Sequence, residues 1–136
     1  MKNLLSCLVA GLTIIACGCE NDASNGELAG TAWRLAAWSE GSPDPWQFMI
    51  TATFDETTIS GTAAVNSYSG ACLAAQDGSF SVGELQITLM AGSEEEMRAE
   101  EIYLELLQQA RKYRVDAAAL TLLDERDNET LRFNGG

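Results

Sequence analysis

From residue 50 onward hydrophobic positions recur mainly with a period of two. Ile50, Ala52 and Phe54 alternate with Thr51 and Thr53, and Ile59, Gly61, Ala63 and Val65 alternate with Ser60, Thr62 and Ala64. That period belongs to half-buried strands. The short acidic connection "DETT" between them makes residues 50 to 65 a predicted hairpin with one face on a core. Upstream, Trp33 and Leu35 share a face and Arg34 takes the other. Downstream, Phe80 and Val82 alternate, Gly83 and Glu84 break the phase, and Leu85, Ile87 and Leu89 resume it one residue late. A β-bulge is the economical cause, because one extra residue turns every later side chain over. Leu120 to Leu122 and Leu131 to Phe133, separated by "DERDNE", read as a closing hairpin.

One segment follows a different period. In "SEEEMRAEEIYLELLQQARK", which starts at Ser93, residues Ala99, Ile102, Tyr103, Leu106, Leu107 and Ala110 form one continuous helical stripe. Ser93 with Glu96 makes a capping box, Glu94 to Glu96 lie at the positive end of the dipole, and Arg111 and Lys112 lie at the negative end. The stripe is expected to pack on the sheet. At about 100° per residue from Ala99, Glu100 falls between Leu107 and Leu104, inside the apolar arc. A carboxyl group there needs donors. The expected partners are Arg34, Arg132 or the backbone amides of a neighbouring loop; the alternative is a functional role with a shifted pKa.

The amino terminus has its own pattern. One positive charge precedes an apolar run from Leu4 to Ala16, too short for the roughly 20 residues that cross a bilayer, so residues 1–16 read as a secretory signal. Ile14, Ile15, Ala16 and Cys17 resemble a bacterial lipobox, which would make Cys17 the lipid-modified first residue, carrying an acyl chain such as palmitate. Residues 17–28, which include "GCENDASNGE", are polar and aperiodic and read as a flexible tether. Ten such residues span about 17 Å on average and about 33 Å stretched. Residues 29–136 then form one domain with one core.

Charge and composition narrow the function. Eight basic side chains, of which Lys2 leaves with the signal, face twenty acidic ones, and this argues against nucleic acid or anionic lipid as an electrostatic partner. The absence of histidine removes the commonest general base and the commonest zinc ligand, so no catalytic group, metal or cofactor is expected. Glu100, Tyr68 and Cys72 are the only plausible participants in any chemistry. Cys72 reads as a small buried hydrophobe, with a bridge to Cys19 as the alternative.

Taken in order, Gly30, Thr31, Trp33, Arg34 and Leu35; Ile50, Thr51, Phe54 and Asp55; Gly61 and Val65 to Gly70; Thr88, Met90 and Ala91; Met97, Glu100, Tyr103, Leu104 and Leu107; and Leu120 to Leu122 with Leu131 resemble the META domain, the HslJ-like heat-shock lipoprotein family. The resemblance runs from Leu28 to Phe133. It departs at Gly92, where relatives commonly carry Cys after "MA", at Val65, where Cys or Gly often precedes the Asn, and at Cys72, where an aromatic is usual. Redox roles proposed for relatives therefore do not transfer. The resemblance implies an α+β fold, mainly β: a barrel-like antiparallel sheet with one amphipathic α-helix packed against it. It also implies a protein of the bacterial envelope linked to stress, with no known catalytic activity.

Within "AVNSYSG", residues 64 to 70, Asn66 and Gly70 suit turns, Ser67 and Ser69 bond nearby backbone, and Tyr68 is expected to plug the barrel end with its hydroxyl in water. Turn chemistry is the favoured reading over ligand contact. Asn66, Tyr68, Glu100 and Arg34 make up the candidate binding or structural polar site. Trp33 reads as core, and Trp38 and Trp46 as residues of an exposed loop. Two functions follow. The first is a noncatalytic lipoprotein, anchored through Cys17 to a periplasm-facing outer membrane, that binds another envelope protein under stress. The second is a carrier of a small hydrophobic ligand in a barrel mouth lined by Tyr68, Trp33, Trp38 and Trp46. A carrier needs an apolar cavity of about 300 Å³ or more, whereas Trp33, Phe54, Leu85, Ile87 and the helix stripe would otherwise fill the interior.

Overall fold

The computed structural model describes residues 24–135. The predicted signal, the lipidation site Cys17 and the tether up to residue 23 lie outside the described residues. Eight strands, β1 (Ala32–Trp38), β2 (Thr51–Phe54), β3 (Thr58–Ala63), β4 (Asn66–Ala74), β5 (Phe80–Ile87), β6 (Lys112–Asp116), β7 (Ala119–Leu123) and β8 (Glu129–Gly135), form one antiparallel sheet in the order β5-β4-β3-β2-β1-β8-β7-β6. The helix α1 (Glu94–Gln109) connects the two terminal strands of that order. The sheet curls into a half-barrel. Its edges touch only where β5 begins: Ser79 bridges Lys112, Phe80 N–H donates to the Arg111 carbonyl at 2.8 Å, and Tyr113 N–H donates to Gly78 at 2.9 Å. Beyond that point the edges separate, and α1 packs on the sheet against β3, β5 and β8.

The two predicted hairpins are present. In the first, Phe54 faces Ile59; in the second, Leu120 faces Phe133 and Leu122 faces Leu131. The bulge is present as well, since β4 advances two residues from Gly70 to Cys72 while β5 advances three between their partners Leu85 and Val82. Ser93 Oγ accepts the Glu96 N–H and Glu96 Oε1 accepts the Ser93 N–H, which completes the capping box. Ala99, Tyr103, Leu106, Leu107 and Ala110 are buried on the sheet, with Ile102 half-buried at the margin. Tyr103 packs edge-on against Tyr68 and Phe133, with ring centres 5.6 and 6.3 Å apart.

Four expectations change. The segment "AVNSYSG" is not chiefly a turn. Only Ala64 and Val65 separate β3 from β4, and residues 66 to 70 are strand, paired from Ala63↔Asn66 to Ile59↔Gly70. The left-handed position falls on Ala64, at φ 70°, and not on Asn66 or Gly70. Ladder hydrogen bonds on both sides of β4 outweigh the turn preference of Asn, Ser and Gly. Second, Lys112, expected at the negative end of the helix, lies beyond it and begins strand β6 (Lys112–Asp116), whose short, charged sequence carries little periodic signal. Third, the domain begins earlier than its composition implies. Asn25 and Leu28 are fully buried; Asn25 N–H donates to Glu56 O, its Nδ2 to Asp55 O, and its Oδ1 accepts the Ala74 N–H. An Asn that reads as tether polarity thus ties β2, β3 and β4 together. Fourth, Ile87 and Leu89 do not continue the core row, because β5 passes the edge of the barrel there: Leu85 is half-buried, Ile87 is 38% exposed and Leu89 96% exposed.

The topology gives the molecule two unlike ends. The chain enters beside the β2–β3 and β4–β5 connections, so Asp55, Glu56 and Asp77 share that end. The opposite end holds the Ala64–Val65 turn, the segment from Thr88 to Ser93 and the start of α1. Leu89 and Met90 project there.

Candidate functional site

Of the four predicted polar-site residues, the fold brings Asn66 and Glu100 together, places Tyr68 one layer deeper, and sets Arg34 apart. Glu100 lies on the buried flank of α1 and is 6% exposed. Its Oε1 accepts the backbone N–H groups of Val65 at 3.1 Å and Asn66 at 2.7 Å, and its Oε2 accepts Asn66 Nδ2 at 2.7 Å. The expected alternatives among its partners are therefore resolved: backbone amides hold Glu100, and Arg34 and Arg132 do not. The β3–β4 turn supplies these amides because its left-handed Ala64 aims consecutive N–H groups into the protein.

Asn66 completes the cluster. Its Nδ2 also donates to Met90 O at 3.1 Å, and its Oδ1 accepts Met90 N–H at 2.6 Å and Thr88 Oγ1 at 2.8 Å. Thr88 in turn accepts the Ser67 N–H at 3.1 Å. One side chain thereby pins the segment after β5 to the turn before β4, and Glu100 pins both to the helix. Every Glu100 and Asn66 side-chain polar atom is engaged, which fits a structural clasp better than a ligand site.

The second polar contact crosses the core. Tyr68 is 2% exposed, and its hydroxyl, expected to be in water, donates to Thr51 O at 2.7 Å and lies 2.6 Å from the Tyr103 hydroxyl. A carbonyl can only accept, so Tyr68 gives its proton to Thr51 and Tyr103 gives its proton to Tyr68. Gly61 makes this geometry feasible: a Cβ there would lie 2.2 Å from the Thr51 oxygen, so only glycine lets β2 approach closely enough. Burial pushes the Tyr68 and Tyr103 hydroxyls above the usual phenol range, and the neighbouring Tyr68 raises Tyr103 further. Burial likewise pushes the Cys72 thiol up to about 12, which keeps it protonated and poorly nucleophilic. Cys72 is a buried free thiol.

Arg34 points to the other side of the sheet. Its guanidinium stacks 3.8 Å from the centre of the Trp46 ring and its Nη2 donates to Trp46 O at 2.9 Å, while its buried Nε has no partner among the described residues. Asp44 caps the single turn Pro45–Gln47 that presents Trp46. Trp46 is exposed, Trp38 is half-buried with its indole N–H on Pro43 O, and Trp33 is core. These residues do not converge with Tyr68 on one mouth. The barrel interior is filled by Tyr103, Phe54, Phe133, Ile59 and Leu107, all fully buried.

Gly92 and Val65, two positions where the sequence departs from the pattern it resembles, are neighbours. A Cβ at residue 92 would lie 2.6 Å from Val65 Cγ2, so the Val65 side chain occupies the space that glycine leaves.

Residues 26–135 match the META domain family. The chain belongs to that family. Solved structures agree with the fold. The META domain here is similar to a protein from Burkholderia xenovorans solved by NMR, at 24% identity and TM-score 0.67, over 97% of this chain and 99% of that one. It is also similar to a DUF4847 family protein from Bacteroides vulgatus solved by crystallography, at 14% identity and TM-score 0.58, over 79% and 94% of the two chains. No curated protein matches the chain. The META match carries the half-barrel and its helix; the clasp, the tyrosine pair and the Arg34 stack are read from this chain's own geometry.

Sequence reasoning singled out Glu100 by its helical angle and missed the partners Tyr103, Thr51 and Thr88. Tyr103 falls in an apolar stripe, and nothing in one dimension separates a core tyrosine from a hydroxyl relay. Thr88 and Thr51 lie on strands whose facing residues only the register specifies.

Proposed function

We propose that this META domain is the noncatalytic binding module of an envelope lipoprotein, moored by acylated Cys17 to a periplasm-facing outer membrane, and that it binds another envelope protein under stress. The filled interior carries this reading. With Tyr103, Phe54 and Phe133 fully buried where a cargo would sit, recognition falls to the surface. Apolar surface is available there, at Leu89, Met90 and Met49, each more than half exposed. The carrier alternative loses its mouth, since Tyr68 is buried and hydrogen-bonded while Trp46 lies under the Arg34 guanidinium.

The test uses the lipidated protein as bait in crosslinked envelopes, alongside mass spectrometry of its mature terminus. The expected result is a reproducible protein partner and an acylated Cys17. An unacylated terminus overturns the anchor. No partner, together with a rise in melting temperature on adding a hydrophobic ligand, overturns the binding module in favour of the carrier.

A further inference from the structure

The strand β5 ends the sheet order, and among the described residues its outer side is paired only at its start, through Ser79 and Phe80 to Arg111 and Lys112. Which backbone groups face outward follows from one bond. Thr88 N–H donates inward to Ser67 O at 3.1 Å, and Gln86 faces Ser69 in the same phase. N–H directions alternate along a strand, so the amides and carbonyls of Leu85 and Ile87 point away from β4. Such a row is a template for another strand.

Most edge strands are blunted by bulges or charge. Here the bulge and the exposed Glu84 protect only the first half of β5. Past them the edge is regular and apolar: Leu85 is half-buried, Ile87 is partly exposed, and Leu89 and Met90 extend the apolar surface beyond the strand. From Leu85 to Leu89 is four residue steps, about 14 Å when extended, enough for a partner strand of about four residues. The surroundings are acidic. Exposed Glu84 precedes the segment, and exposed Glu94 and Glu95 follow it.

We infer that the open edge of β5 from Leu85 to Leu89 is a strand-addition site for an extended protein segment with apolar residues at alternate positions and Lys or Arg between them. The partner's backbone completes the ladder at Leu85 and Ile87, its apolar side chains cover Ile87 and Leu89, and its cations meet the glutamates. A second copy of this chain is a poor occupant, since each copy has a net charge of −12. This inference rests on the protein-binding reading above and specifies its surface.

The probe is a blocked heptapeptide alternating Val and Lys, compared with its Val and Glu counterpart, added to the 15N-labelled protein. The Val and Lys peptide is expected to slow hydrogen exchange at the Leu85 and Ile87 amides about tenfold or more, while the Val and Glu peptide leaves them unchanged. Ile87→Pro removes an amide that has no intramolecular partner, so the strand tolerates it, and it should weaken the Val and Lys peptide at least about tenfold. Leu89→Ser, at a 96% exposed side chain, leaves folding untouched and should weaken binding about threefold. Equal binding of both peptides, or no protection at Leu85 and Ile87, overturns the site. A concentration-dependent dimer lost in Leu89→Ser also overturns it, by assigning the edge to a second copy. If the crosslinked envelope partner is retained by Ile87→Pro and Leu89→Ser, the edge site fails while the protein-binding reading stands.

Discussion

At one end of the molecule Glu100 and Asn66 meet inside the protein, while along the far edge Lys112 and Arg114 meet Asp127 and Glu129 in water. The two ion pairs are short, at 2.5 and 2.7 Å, yet their side chains are between 46% and 68% exposed. Water and salt compete for them, and holding long side chains in place offsets most of the Coulomb gain. The Glu100 contacts are no shorter, but they are buried, and they serve the Asn66 backbone amide at 2.7 Å as well as the Val65 amide, which also reaches Ala63 O at 2.8 Å. Distance does not rank these interactions. What each group would face if its partner vanished does.

Removing the buried partner should therefore have the largest effect. Glu100→Ala strands the buried Asn66 backbone N–H and takes one acceptor each from the Val65 N–H and Asn66 Nδ2, and it should lower the unfolding free energy by about 2–4 kcal/mol in urea titration. A loss under about 1 kcal/mol would erase the distinction between the two regions. Asn66→Ala removes the pin on Met90 and Thr88 and should cost about 2–3 kcal/mol, with faster hydrogen exchange across residues 88 to 93.

The tyrosine pair sharpens the comparison because its two hydroxyls have unequal duties. Tyr68→Phe strands the Thr51 carbonyl and the Tyr103 hydroxyl together and should cost about 1–2 kcal/mol. Tyr103→Phe leaves Tyr68 still donating to Thr51 and should cost less, and the reverse order would show that the proton assignment is wrong. On the exposed side, Arg114→Ala should change stability by about 0–1 kcal/mol, an effect that fades with added salt.

The smallest expected effect is a pH dependence. The hydrogen bond from the Asn128 backbone N–H, joined by those from the Asn128 side chain and the Arg126 N–H, holds the Asp124 carboxyl below its ordinary range. A lowered folded-state pKa means that its contribution is fully present above the ordinary carboxyl range and disappears as pH falls through the lowered value. Asp124→Asn should flatten that part of an acid titration of stability and leave the neutral region nearly unchanged.

The helix, both hairpins and the bulge were legible because each has a local cause: the Ser93 and Glu96 cap, alternation about "DETT" and "DERDNE", and a phase break at Gly83. Glu100 was legible as an anomaly on the same ground, since helical geometry assigns its angle without reference to any other segment. Strand β4 was not, because Asn66, Ser67, Ser69 and Gly70 individually favour turns and become strand through ladders to β3 and β5 that lie far away in sequence. Asn25 was hidden for a related reason, as a single polar residue in a polar stretch gives no sign that it bonds Asp55 and Ala74.

By itself the sequence determined the kind of element at most positions and the one carboxyl group that had to find donors, because period and capping act over a few residues. Tertiary structure decided the rest: that Val65 and Asn66 supply those donors, that Tyr68 is dry, and that Ile87 and Leu89 run past the rim into solvent. Those outcomes depend on strand register and on where the barrel stops, and both are set by contacts between segments whose sequence separation local pattern cannot bridge.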